Sequence, residues 1–408
     1  MTDKKRLFEN FSALAIMQML NYILPFVTLP YLVRVLGMEG YGTFIFSQAF
    51  ILYFIIIVDF GFELSATREV SLNRDNPNKL SEIVSAVLGV KIILAVGSLI
   101  VLLLLLATVP QLREYWAFHL LSFGMVIGNM LFSLFFYQGI EKMKFITIFS
   151  ASAKIFFTVS IFIFVKDTSQ LLLVPIFNSL GYLVVGVVSL FVMITKFKVR
   201  IRFPKKDTLV LQAKNSAQFF WSRIAVSMYT TSNTVIIGLV LGPVAAGIFG
   251  SADKLFRGVV SLYQPLNNIL YPYIAYSKNI KLYKKVFKFA TIINIFIVVV
   301  AFVVSDIVVQ VIFGSGFEES ALLLRIFLIT TVFLMPSILL GYPLLGAMGY
   351  TGEVNKSVII ASVFHIVILL ISIPFLSVIH VTLYVLITEL IVFLYRLYYV
   401  KKFKLLSE

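Results

Sequence analysis

Seven basic residues fall inside stretches that are otherwise apolar enough to cross a lipid bilayer: Lys91, Lys154, Arg223, Lys254, Arg257, Arg325 and Arg396. A cation near the bilayer centre is costly, so it usually faces a water-filled cavity or a partner. Arg offers phosphate a planar two-pronged fork, and Lys offers it a point charge. The chemistry on offer is therefore capture of an anionic group. Arg257 lies near the middle of its stretch, with Lys254 one turn before it and Arg223 on the preceding stretch. Lys91 and Lys154 each sit roughly nine residues in from one membrane face, about 13 Å deep at 1.5 Å rise per residue. For these two, snorkelling or an interhelical partner competes with a place in a cavity. Arg325 and Arg396 lie nearer the ends of their stretches and are expected to snorkel to the interface.

Acidic residues are scarcer. Asp253 precedes Arg257 by four residues, the spacing of an ion pair within one helix. Asp59 and Glu63 are also four apart, and either titrate as a coupling-ion site or simply sit at the interface near Arg68. Glu389 is a lone carboxylate with no assigned role. Around the charges run polar stripes. Lys254, Arg257, Ser261, Gln264 and Asn268 share one helical face. So do Gln18, Asn21, Tyr22, Pro25 and Thr28, and a shift of 205 residues from this second set leads to Arg223, Ser227, Thr230 and Asn233. Such stripes read as the wall of a central cavity, or alternatively as hydrogen-bond glue between helices. In a cavity, Asn21, Gln264, Asn267 and Asn268 are candidates for hydrogen-bonding the cargo. Pro336 and Pro343, with Gly341 and Gly346 nearby, make their stretch the candidate bending gate, since each proline frees a carbonyl and permits a kink.

The elements that must position these residues follow from composition. The chain is 60% hydrophobic, with 40 Phe and only 13% charged residues, where a soluble domain carries about 25% charged. A helix crossing a hydrocarbon core of about 30 Å needs roughly 20 apolar residues. Twelve stretches qualify: 10–35, 41–64, 82–107, 115–139, 145–165, 169–194, 216–241, 245–275, 287–312, 321–348, 357–377 and 380–400. Helices are required because lipid cannot satisfy unpaired amides, and runs such as LIVLLLLLAT lack the alternation of a membrane barrel. Of the 34 Lys and Arg, 24 fall at one set of loops and helix ends and three at the other, which puts both termini in the cytoplasm. No cleavable signal peptide is evident at the start.

Residues 35–44, VLGMEGYGTF, and 240–249, VLGPVAAGIF, match at Val, Leu, Gly, Gly and Phe. Each phrase closes the first span of a six-span set and opens the second. The reading is an all-α membrane protein in two six-helix lobes, 1–195 and 216–408, joined by the basic cytoplasmic linker 196–215 and related by a parallel repeat. Catalysis is not expected. His119, His365 and His380 share no metal-like spacing, there is no Cys, and no nucleotide fingerprint or phosphate loop appears, so no metal or cofactor is expected.

Three stretches carry a family resemblance: GFELSATREVSLNRDNPNKLSEIVSAVLGVK (61–91), FFYQGIEKMKFITIFSASAKIFF (135–157) and GEVNKS (352–357). They resemble the Wzx-type polysaccharide flippases, in the polysaccharide-transporter branch of the multidrug/oligosaccharidyl-lipid/polysaccharide exporter superfamily. The resemblance implies movement of an undecaprenyl-diphosphate-linked oligosaccharide across the bacterial cytoplasmic membrane for O-antigen or capsule assembly. It implies two lobes that alternate access around a cation-lined lumen, with membrane lipids, a polysaccharide polymerase and a chain-length regulator as candidate partners. Lys91, Lys154, Arg223, Lys254 and Arg257 are then the candidates for the diphosphate, Asn21, Gln264, Asn267 and Asn268 for the sugar hydroxyls, and Asp253, Asp59 and Glu63 for ion coupling. The alternatives are a lipid II-type precursor flippase, a drug/cation antiporter of the same superfamily, and a non-transporting scaffold of the assembly complex.

Overall fold

The computed structural model describes residues 3–406, and the side chains of residues 3–16, Gln18, Asn21, Tyr22, Ser222, Ala225, Val226, Met228 and Tyr229 lie outside the described residues. Every expected span is occupied by helix, as an apolar solvent demands of a backbone. In chain order the elements are α1 (Asp3–Asp59), α2 (Phe62–Leu72), α3 (Pro77–Thr108), α4 (Pro110–Arg113), α5 (Trp116–Ser122), α6 (Gly124–Leu131), α7 (Leu134–Gly139), α8 (Met143–Phe164) and α9 (Leu173–Thr195). They continue with α10 (Lys206–Thr230), α11 (Ser232–Leu241), α12 (Pro243–Ser261), α13 (Gln264–Ser277), α14 (Ile280–Phe313), α15 (Glu318–Leu339), a π-helical turn (Leu340–Gly346), α16 (Thr351–Ile371) and α17 (Val378–Lys402).

Among the described residues, nine helical segments are long and apolar enough to cross a membrane, against twelve expected. The difference has two causes. Spans 1 and 2 run as one helix, α1, broken only at Gly37 (φ 67°, ψ −176°). Spans 7 and 8 are each divided, the eighth between Ser261 and Gln264, where Leu262 and Tyr263 turn back to the carbonyls of Val259 and Val260. Pro265 follows at once, and its missing amide cannot continue the ladder.

Gly242, the repeat counterpart of Gly37, has φ 89° and ψ 174° between α11 and α12. Both glycines thus occupy a backbone region essentially closed to other residues. A Cβ at either would meet no atom within 4 Å, so the torsion is what requires glycine, not space. The repeated phrase encodes the same reversal twice.

The chain gathers into two compact units, Met1–Ile224 and Ala225–Glu408, with the boundary inside α10. In the first unit, Phe62, Val87, Phe135, Phe136, Tyr137 and Phe149 form the core. Gly124 and Gly128 let α6 approach α9 closely: a Cβ on Gly124 would come within 2.6 Å of Ser179 Cβ, and one on Gly186 within 2.5 Å of the Gly128 carbonyl. This is the small-residue packing that replaces the hydrophobic drive inside lipid. The segment before α10 lies along α3, where the amides of Arg200 and Arg202 donate to Ser81 and Ser85 hydroxyls, both at 3.0 Å. In the second unit the core centres on Ile274, Tyr283, Leu339, Leu344 and Leu345.

Candidate functional site

In the first unit the charges converge where α1 ends. Asp59 closes the helix, Phe60 (φ 47°) and Gly61 (φ 78°) turn the chain, and α2 begins at Phe62. A Cβ on Gly61 would stand 2.8 Å from Phe219 Cβ and 2.9 Å from the Ser216 carbonyl, so α10 crosses directly over it. Ser65 and Ser216 hydroxyls meet at 2.6 Å, Phe60 stacks on Phe220 at 4.5 Å, and Gln212 and Asn215 both donate to Glu69. One turn further along α10, Arg223 Nη1 reaches Asp59 Oδ2 at 3.1 Å and also donates to Glu63 Oε2. From α3, Lys91 Nζ reaches Asp59 Oδ1 at 3.2 Å and lies over the Phe135 ring. Two carboxylates and two cations from four helices thus form one neutral cluster. Lys91 is 2% exposed and Asp59 8%, a depth at which neither charge is tolerated alone. Lys91 and Arg223 expected to face cargo, and Asp59 and Glu63 expected to couple an ion, are therefore gathered into one network. Lys154, on α8, is half-buried.

In the second unit, Arg257 on α12 donates from Nε to Asp253 Oδ2 at 2.6 Å and from Nη2 to the Thr230 carbonyl at 2.8 Å. Its side chain remains 46% exposed, against 15% for Asp253. Lys254 beside it is half-buried. Past the break, Gln264 and Asn268 on α13 are exposed and Asn267 is half-buried. The side chain of Asn21 lies outside the described residues. The polar face from Lys254 to Asn268 is therefore carried by two short helices rather than one.

The expected gate departs from α-helical geometry. Pro336 lies in α15 and Pro343 in the π-helical turn, where Gly341 leaves helical geometry (ψ −116°). In an unbroken helix the amide of residue 343 would serve the Leu339 carbonyl. Pro343 has none; in the π-helical turn the amide spaced to reach that oxygen is the next one, of Leu344, and the buried Tyr283 hydroxyl donates to the same oxygen as well, at 3.0 Å. Arg396 corrects the expectation of snorkelling. It is 8% exposed, its Nη1 donates to the Ser337 carbonyl at 2.8 Å, and its Nε donates to Ser357 at 3.0 Å. A Cβ on Gly341 would come within 2.8 Å of Arg396 Nη1, so glycine leaves room for the guanidinium. Distorted membrane helices persist when side chains re-satisfy the freed backbone groups in this way. Arg325 pairs with Asp306 and donates to Ser305.

Sequence reading passed over His365. It is buried, with Nδ1 2.8 Å from Thr388 Oγ1 and Nε2 2.8 Å from Asn233 Oδ1, tying α16 to α17 and α11. No group of three His, Cys, Asp or Glu residues that could hold a metal occurs among the described residues. The GEVNKS stretch also has a structural use: Glu353 accepts from Tyr395 and Lys356, and Asn355 accepts from Tyr342 of the π-helical turn.

Residues 7–278 match the family model described as "Polysaccharide biosynthesis protein". The chain belongs to this family. It is 28% identical over 415 aligned residues, covering 99% of both chains, to a protein of Escherichia coli (strain K12) described as "Putative O-antigen transporter". A protein of Shigella dysenteriae with the same description is 29% identical over 272 residues, 64% of this chain and 67% of that one. Among solved structures, the lipid II flippase MurJ in an inward closed conformation superposes with a TM-score of 0.74 at 14% identity, covering 97% of this chain and 87% of that one. An inward-facing multidrug resistance MATE family transporter of the MOP superfamily gives 0.69 at 14% identity, covering 97% and 99%. At such identities the likeness is one of fold. The family member is a multi-pass protein of the bacterial inner membrane, with transporters rather than enzymes as its described relatives.

Proposed function

We propose that this chain translocates an undecaprenyl-diphosphate-linked oligosaccharide across the inner membrane by alternating access, supplying surface polysaccharide assembly. The observation that carries the reading is the exposed Arg257 guanidinium, held by Asp253 rather than buried against it, followed on α13 by the exposed amides Gln264 and Asn268. A diphosphate suits the cation and sugar hydroxyls suit the amides. The full-length similarity to a protein described as an O-antigen transporter supports the same cargo class. The distorted turn around Pro343 is the element that bends, and both termini and the 196–215 linker face the cytoplasm. The Asp59–Lys91–Arg223–Glu63 cluster is a charge relay in reach of solvent through Arg223, and the coupling ion, if one is used, acts there.

The test is the sidedness of the cargo. Cells lacking this chain should accumulate lipid-linked oligosaccharide in the cytoplasmic leaflet, inaccessible to a lectin or glycosidase added to spheroplasts. Accumulation in the outer leaflet, or none, would place the chain after translocation or outside transport altogether. A precursor of peptidoglycan building up instead would move the cargo to the lipid II class.

A further inference from the structure

A second feature lies on the far side of α13 from the exposed amides. Along α14, against Leu262 and Tyr263 of the α12–α13 junction, Leu266 of α13 and Met335 of α15, runs a groove of about 800 Å³, walled by apolar side chains including Leu266, Ala290, Ile293 and Ile297. Its length along α14, from Lys285 to Ile297, is about 18 Å at helical rise. Lys285 and Lys288 stand at one end, the end that the charge pattern puts at the cytoplasmic face. They are three residues apart and so share a face of the helix. Both are exposed, and among the described residues neither ammonium has an ion-pair or hydrogen-bond partner. The deeper cations Lys91, Arg223, Arg257 and Arg396 all have partners.

From this geometry we infer that the groove is a loading site for the lipid end of the cargo, with the diphosphate on Lys285 and Lys288 and the first part of the polyprenyl chain along α14. The inference rests on the flippase reading and adds to it where the cargo is first held. The direction is right: a lipid of the cytoplasmic leaflet has its phosphate at the interface and its chain running toward the midplane. The shape favours a single chain, since the groove is one channel along α14. The charge favours two adjacent phosphates, since two lysines on one face can neutralise them together. A groove pre-formed in apolar wall with a few charges at its mouth is the usual form of a small-molecule site.

The experiment uses the full-length protein in phosphatidylcholine nanodiscs and radiolabelled undecaprenyl diphosphate without sugar. Lys285→Gln with Lys288→Gln should weaken binding roughly tenfold to a hundredfold, the loss expected for charge-assisted contacts. Ala290→Trp, which fills the channel, should weaken it comparably. Ile293→Trp on the rim is the second variant should Ala290→Trp fail to fold, and the lysine pair, being on the surface, leaves the fold intact. Undecaprenol, lacking phosphate, should bind weakly and equally to wild type and the Gln pair. If wild type binds undecaprenyl diphosphate and every variant binds as well, the groove is not the site while the flippase reading stands. If phosphatidylglycerol competes equally, the groove holds ordinary membrane lipid and the inference is overturned. If wild type binds no undecaprenyl diphosphate, the cargo assignment itself falls.

Discussion

The Tyr283 hydroxyl donates to the Leu339 carbonyl at 3.0 Å, the acceptor whose α-helical amide partner Pro343 removes and which the π-helical turn shifts to the next residue. A proline kink inside a buried core is thereby completed by a side chain from the neighbouring helix α14. Tyr283→Phe should cost about 0.5–1.5 kcal/mol, the net worth of one buried hydrogen bond. In a Pro343→Ala background, where residue 343 regains its amide, the same substitution should cost much less. Thermal unfolding of the four proteins in detergent measures the coupling. Equal costs in both backgrounds would mean that the hydroxyl does not serve the kink.

A similar argument applies to the buried pair in the first unit. Lys91→Met leaves Asp59 facing only Arg223, and removing one partner of a buried pair costs about 3–5 kcal/mol. Lys91→Met with Asp59→Asn should recover most of that stability. Protein level in the membrane reads the stability, and surface polysaccharide reads the transport. A double variant that is abundant and active would leave the pair a structural role alone. A double variant that is abundant and inactive would show that the charges themselves act in transport, by contacting cargo or by moving an ion.

The helical membrane character is legible because lipid as solvent enforces long apolar runs, and the ten-residue repeat because both reversals need the same torsion at one glycine; the count of spans is not, since nine helical segments among the described residues qualify against twelve expected. What sequence could not show is which charges meet. Lys91 and Arg223 look alike in sequence to unpaired cargo cations. The pairing of Arg223 with Asp59 depends on α10 crossing Gly61, a contact 164 positions apart, and that of Lys91 on α3 passing the end of α1, 32 positions away. Arg396 was misplaced for the same reason, since nothing in α17 announces the widened turn at Gly341 that receives it. The groove beside α14 has no sequence signature at all, because a helix that is apolar all round carries no stripe to mark one concave face.

The shared torsion gives its own prediction. Gly37→Ala and Gly242→Ala should each destabilise the protein by about 1–3 kcal/mol through backbone strain, although neither Cβ meets any atom within 4 Å. Thermal unfolding should show shifts of similar size for the two. A neutral result at either position would mean that the chain there readily adopts another path, and that the repeated phrase does not encode a required reversal.

Arg257 offers the sharpest separation between a cargo site and a structural ion pair. It holds both Asp253 and the Thr230 carbonyl, yet its side chain is 46% exposed, so an anion can reach it without unfolding α12. Arg257→Ala should lower surface polysaccharide by roughly tenfold or more, since charge-assisted contacts contribute about 1.5–3 kcal/mol. The protein should remain at normal level, because Asp253 is only partly buried, with 15% of its side chain exposed. Arg257→Lys should keep part of the activity if a point charge suffices and little if the fork matters. The deciding variant removes both partners. If Arg257 serves only to neutralise Asp253, then Asp253→Ala with Arg257→Ala leaves no uncompensated charge and should support normal polysaccharide in a strain lacking the native chain. If Arg257 holds the diphosphate, the double variant should be as inactive as Arg257→Ala alone, while Asp253→Ala by itself leaves the cation in place and keeps measurable activity.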